Sequence, residues 1–315
     1  MKFTICAVLA LLSLGTVSVS RAQDADASKT RLLPQLVQMA NDEGKKIYNI
    51  TEILDGESET AVIRPEIRCH NTYSVAKLFT CATLEILQDQ GKLDVDEKLF
   101  PILEKYFPEN FDPRWRDVTI ADVIRHRAGF DSSSDKLDID AVDPVDWDRD
   151  FLKIVLSQKL PNEPGAKFCY TDAAFYLASR VVSEKTGEKL DDFMVRELLE
   201  PLRFSEYAFS TDPEGYPIGA TGMYISTSDM AKLGQMYVQD GVYDGKRILS
   251  KEVVDEAFAR GFELNQVDKD GNSFVKGGMN GQLLYMNRKT KRVVALHSFG
   301  SDTDAFIKFL VENDK

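Results

Sequence analysis

Histidine and cysteine are both scarce: three histidines and four cysteines are spread over 315 residues. His70, His126 and His297 stand far apart, and neither H-E-x-x-H nor a paired C-x-x-C occurs, so no familiar zinc arrangement can be assembled. The clustered acids Asp138, Asp140, Asp143, Asp146, Asp148 and Asp150 lack the spacing of a calcium loop and read as a solvated acidic surface. No metal and no organic cofactor is called for. Positive charge is also in deficit, with 39 Lys and Arg against 51 Asp and Glu and a formal charge of -12. Such a surface repels nucleic acid and anionic lipid heads, which leaves a small molecule or a peptide as the expected partner.

Long apolar runs are absent except at the start, where Lys2 precedes Phe3 to Val19 and then Ser20-Arg21-Ala22. That order of basic residue, short apolar stretch and small residues predicts a signal peptide over 1–22, hence a secreted or periplasmic protein with no membrane span once the leader is removed. Cys6 would leave with it. Cys69, Cys81 and Cys169 remain, an odd number, so at least one thiol stays unpaired within the chain. A Cys69–Cys169 bridge is open if their segments meet at one site; three buried free thiols are the alternative.

With 43% hydrophobic residues the chain can bury a sizeable core. Apolar spacing predicts a helix over 32–39, a strand over 47–54 and a returning strand at 61–64 after the Asp55-Gly56 turn. A helix is expected from Tyr73 to Gln90, stopped by Gly91. Helical signals dominate 93–199, including 120–126 and 173–186. Beyond Pro201 a helix over 228–238, strands over 282–286 and 293–297, and a helix over 303–312 are expected. The order implies an antiparallel sheet built from both ends of the chain with a helical insertion between, and no internal repeat is present.

Three segments carry chemistry. Ser74-Val75-Ala76-Lys77 puts a hydroxyl and an amine on one helical face, where a lysine kept neutral by its surroundings could take the serine proton. The helix N-terminus would supply N–H groups to a developing oxyanion. Alone the pattern is common, but Val75, Leu78 and Phe79 imply a turn pressed against a core rather than a solvated face. Tyr170-Thr171-Asp172 follows the turn Glu163-Pro164-Gly165; a phenol beside an ammonium can shuttle protons, and Asp172 could serve simply as a helix cap. Lys276-Gly277-Gly278-Met279 offers a cation and close backbone approach, or a plain glycine turn.

Taken together and in order, these segments resemble the serine β-lactamase and penicillin-binding-protein superfamily, particularly the class C β-lactamases and their esterase and D-peptidase relatives. Ser74 to Lys77 matches S-x-x-K, Tyr170 to Asp172 resembles Y-x-N, and Lys276 to Gly278 resembles K-T-G. The segments 118–130, 163–168 and 219–233 resemble connecting motifs of the same family, and the likeness runs from about Asn71 to the C-terminus.

The resemblance implies an α/β (α+β), β-lactamase/transpeptidase-like fold: an α/β sandwich region from 23–73 and 200–315 around a mostly helical region, 74–199. It implies acylation of Ser74, with Lys77 and Tyr170 sharing acid and base work, an oxyanion hole from the N–H groups of Ser74 and Met279, and Asp172, Lys276, Gly277 and Gly278 toward the substrate. An ester, amide or D-peptide-like substrate follows, possibly derived from cell wall. Two departures stand out. Asp172 occupies the usual asparagine position, where a carboxylate would penalise carboxylate-bearing substrates or pair with Lys77 or Lys276; Gly277 lacks the hydroxyl of K-T-G. Both argue against β-lactam hydrolysis and open an alternative, a degenerate homologue that binds a peptide or glycan without turnover. His126 is expected to be structural, and His70 is a weaker rival to Lys77 as base.

Overall fold

Strands 282–287 and 293–298 are buried at every position, because their alternate side chains feed two different cores. Leu284, Met286, Val293 and Ala295 enter the larger core, while Leu283, Tyr285, Val294 and Leu296 enter the smaller one. The computed structural model describes residues 30–42, 44–64, 68–135, 137 and 149–315. The leader read over 1–22 and the acids Asp138, Asp140, Asp143, Asp146 and Asp148 lie outside these.

In chain order the elements are α1 (Leu33–Asp42), β1 (Ile47–Leu54), β2 (Glu57–Val62), β3 (His70–Asn71) and, after a 3-10 turn at Tyr73–Val75, α2 (Ala76–Asp89). The helical middle holds α3 (Phe100–Leu103), α4 (Ile120–Ile124), α5 (Phe151–Leu156), α6 (Asp172–Thr186) and α7 (Leu190–Met194). Then come β4 (Tyr207–Phe209), β5 (Met223–Ile225), α8 (Thr227–Val238), β6 (Val242–Tyr243), β7 (Lys246–Arg247), α9 (Lys251–Arg260), β8 (Asn265–Gln266), β9 (Ser273–Gly278), β10 (Gln282–Asn287), β11 (Val293–Ser298) and α10 (Asp304–Asn313).

The main sheet is antiparallel with strand order β2-β1-β11-β10-β9-β8, so β1 from the start of the chain pairs with β11 near its end. On one face α1 and α10 bury Leu33, Leu36, Phe306 and Leu310. On the other, α8 lies so close that a Cβ at Gly234 would stand 2.7 Å from Val293, which is why that helix position has no side chain.

A buried ionic knot joins the two ends. The Glu52 carboxylate of β1 accepts the N–H groups of Leu32 (3.0 Å) and Leu33 (3.1 Å) at the start of α1. Arg292 pairs with the same carboxylate and reaches Asp314 at 3.0 Å.

The long elements fall within a few residues of their expected bounds. The helix expected from Tyr73 differs in one respect: its first turn is 3-10, and the α-helix proper begins at Ala76.

Candidate active site

The 3-10 turn that presents Ser74 is held by the short sheet β3-β5-β4. Thr72 donates its N–H (2.8 Å) and its hydroxyl (2.9 Å) to the carbonyl of Met223. Asn71 Oδ1 accepts the N–H of Tyr73 (2.9 Å) and of Gly222 (3.2 Å). Pinned on both sides, Tyr73 adopts φ of +46°, a left-handed conformation costly for an aromatic residue and the kind of strain that clusters at functional turns.

Lys77 lies one helical turn on and is fully buried. Its Nζ donates to Asp172 Oδ1 (2.6 Å), the Ala220 carbonyl (3.0 Å) and Ser74 Oγ (3.3 Å), three acceptors for the three N–H bonds of an ammonium. Burial by itself pulls the lysine down, but the Asp172 carboxylate, followed by Tyr170, outweighs it and leaves Lys77 above its ordinary value. The surroundings thus favour the charged form over the neutral amine that base work by Lys77 would need. Asp172 is correspondingly not the helix cap. Thr171 caps α6 through its hydroxyl, and Asp172 is the first helical residue, facing Lys77.

Tyr170 donates its hydroxyl to Ser74 Oγ at 2.7 Å. Its ring lies over His126 (centroids 4.4 Å apart), with Lys77 Nζ 4.8 Å and Lys276 Nζ 5.6 Å from its centroid. His126 is itself in a left-handed conformation (φ +56°) and fully engaged. The Thr171 N–H donates to its Nδ1 (3.3 Å), which leaves Nε2 to carry the proton and donate to Glu263 Oε1 (2.9 Å).

Glu263 went unnoticed in the sequence. Buried at the end of α9, it pairs with Lys276 as well as His126. Burial would raise its carboxyl, yet first the Lys276 ammonium and then His126 hold it down at about 2. The only hint was a charged residue inside the apolar run Phe262-Glu263-Leu264, a pattern that demands a buried partner.

At the end of β9, Gly278 lets two backbones meet: a Cβ there would stand 2.5 Å from the Thr72 carbonyl and 3.3 Å from the Ser74 nitrogen. Gly277 differs, since a Cβ would meet only the Gln282 carbonyl at 3.9 Å, so the absent hydroxyl is not a steric necessity. Met279 follows, half exposed. A cleft of about 250 Å³ opens beside Tyr170, with His126, Glu263 and Lys276 in its floor and Arg125, Arg127 and Phe168 around it.

The remaining candidates resolve plainly. Cys69, Cys81 and Cys169 are free thiols, so the bridge between Cys69 and Cys169 is not formed. His70 stacks on Tyr48 (4.8 Å) and near His297 (5.2 Å), and burial depresses His297 to about 3.

Sheet order, helical middle and the Ser74 turn together define a β-lactamase/transpeptidase-like fold. The chain belongs to the Beta-lactamase family, whose model matches residues 68–308. It is 26% identical over 205 residues to penicillin-binding protein 4 of Amycolatopsis lactamdurans, covering 56% of this chain and 53% of that one. To 6-aminohexanoate-dimer hydrolase of Paenarthrobacter ureafaciens it is 23% identical over 338 residues, covering 92% and 84%. A family VIII carboxylesterase superposes with TM-score 0.71 at 15% identity, covering 89% of this chain and 96% of that one. The chain spans 28% to 53% of the length of several curated relatives it matches, penicillin-binding protein 4 among them.

Proposed function

We propose that this chain is an exported serine hydrolase that works through an acyl-enzyme at Ser74 on an ester, amide or D-peptide-like substrate. The observation that carries the reading is Ser74 Oγ held between Lys77 Nζ (3.3 Å) and the Tyr170 hydroxyl (2.7 Å) on a strained turn. In this mechanism the reactive form of Tyr170 is the phenolate, left when its hydroxyl proton passes to solvent, and its Oη takes the Ser74 proton as Oγ attacks the carbonyl carbon. The ammonium groups of Lys77 and Lys276 beside its ring attract the negative charge of that phenolate. The N–H groups of Ser74 and Met279 receive the oxyanion, and Tyr170 returns the proton to the leaving group. A water then gives a proton to Tyr170 as its oxygen attacks the acyl carbon, and Tyr170 passes that proton to Ser74 Oγ as the bond to the acyl group breaks. Export rests on the leader sequence 1–22, and the substrate is a small molecule or peptide, cell-wall fragments included.

A second reading, a homologue that binds without turnover, is favoured by one observation: Asp172 commits Lys77 to the ammonium form. Intact-protein mass after exposure of wild type and Ser74→Ala to a fluorophosphonate, and separately to a penicillin, decides between them. One adduct on wild type and none on the variant supports the hydrolase. No adduct with either reagent on wild type sinks it in favour of the binder.

A further inference from the structure

Two lysines lie beside Tyr170, and each is matched by a carboxylate: Lys77 by Asp172, and Lys276 by Glu263. Glu263 belongs to neither strand nor helix; its backbone has φ of +58°, and its two oxygens are divided between Lys276 and His126. All three side chains are buried, so water screens this arrangement weakly. A carboxylate fixed there removes most of the attraction that Lys276 would offer to an anion arriving beside Ser74. Three arginines, Arg125, Arg127 and Arg260, also line the cleft, and Arg260 is already paired with Asp96 and Glu256. Arg125 is exposed, and Arg127 already donates to the carbonyls of Gly165 (3.4 Å) and Ala166 (3.2 Å), so positive charge is left toward solvent rather than in the floor.

We propose that Glu263 is a specificity-determining residue: by neutralising Lys276 it restricts the site to acyl donors that are uncharged next to the scissile bond. This deepens the proposed function and rests on Ser74 being acylated. The position of an anion on the substrate then matters. A carboxylate adjacent to the reacting carbonyl or its leaving oxygen meets a neutral floor, with a like charge from Glu263 close by.

The test compares kcat/KM for nitrophenyl acetate with that for its carboxy-nitrophenyl analogue, in which the leaving group carries the anion. Wild type should favour the neutral ester by about tenfold or more, and Glu263→Gln should narrow that ratio by about tenfold. Glu263→Asp, which keeps the charge, should hold the wild-type ratio. The double variant Glu263→Gln with Lys276→Gln, neutral again, should return toward it. An unchanged ratio in folded Glu263→Gln overturns the proposal. So does a wild type with no preference, a result available even if the variants do not fold. If wild type takes no fluorophosphonate on Ser74 and turns over neither ester, the parent reading itself has failed and this one with it. Labelling with no charge preference defeats the specificity claim alone.

Discussion

The Lys77 ammonium and the Asp172 carboxylate meet at 2.6 Å in a site where both side chains are almost wholly removed from water. Truncating one member of such a pair strands the other charge, a loss of about 3–5 kcal/mol in comparable buried pairs. Asp172→Asn should therefore lower the midpoint of thermal unfolding markedly. The pH dependence has a definite sign. Lys77 is held above its ordinary 10.5, so its contribution is intact below that pH and is lost as pH rises through the folded value. In Asp172→Asn, where burial is no longer offset, the folded lysine falls below its unfolded value, so stability should instead rise as pH climbs through the alkaline range. Thermal melts across the alkaline range would show it, and superimposable curves for the two proteins would refute it.

Tyr170→Phe keeps the ring against His126 and removes only the hydroxyl that reaches Ser74. The fold should be unaffected, while kcat/KM for an activated ester should fall roughly 100- to 10,000-fold. A variant with near wild-type turnover would remove Tyr170 from the proton path.

Glu85, on the buried face of α2, accepts the Tyr237 hydroxyl at 2.7 Å on one oxygen, and its other oxygen has no hydrogen-bond partner among the described residues. Burial, opposed by that hydrogen bond, raises its carboxyl from 4.5 to about 8. Across that window the native protein holds a proton that the unfolded chain has released, so stability declines as pH rises from 4.5 toward 8. Glu85→Gln should abolish the decline and be the more stable protein at the upper end, by on the order of a few kcal/mol. Urea unfolding at the two ends of the window measures this directly, and parallel behaviour of both proteins would contradict it.

Much of this architecture is legible in the residues because it depends on neighbours. Ser74 and Lys77 share a helical face by spacing alone, and the apolar runs 283–286 and 293–296 announce the two buried strands. What escaped notice depends on distant partners. Glu263 reaches His126 across 137 residues, so no role for it follows from local pattern, whereas the pairing of Asp172 with Lys77, 95 residues away, is open only through the family resemblance. The short strands β3, β4 and β5, which hold the Ser74 turn, are two or three residues long and carry no periodicity that could reveal them.

Glu52→Gln tests the knot at the sheet's back. The amide oxygen can take the place of only one of the two carboxylate oxygens that accept from Leu32 and Leu33, and Arg292 keeps Asp314 but loses its other buried counter-charge, so a cost of about 3 kcal/mol or more is expected. Chemical denaturation should show a lower midpoint with an unchanged slope. An equal midpoint would mean that Asp314 alone satisfies Arg292.

The partners in that knot, Glu52 and Arg292, are 240 residues apart. During synthesis β1 emerges early with β2 as its one available neighbour, so the central sheet cannot close until β11 has left the ribosome. The residues that complete the Ser74 site arrive in the same late segment, with Glu263 and Lys276 preceding β11 only slightly. A chain cut before Glu263 therefore carries Ser74, Lys77 and Tyr170 without Glu263, Lys276 and Met279. The surroundings of Ser74 are completed together with the sheet, once β11 has been made.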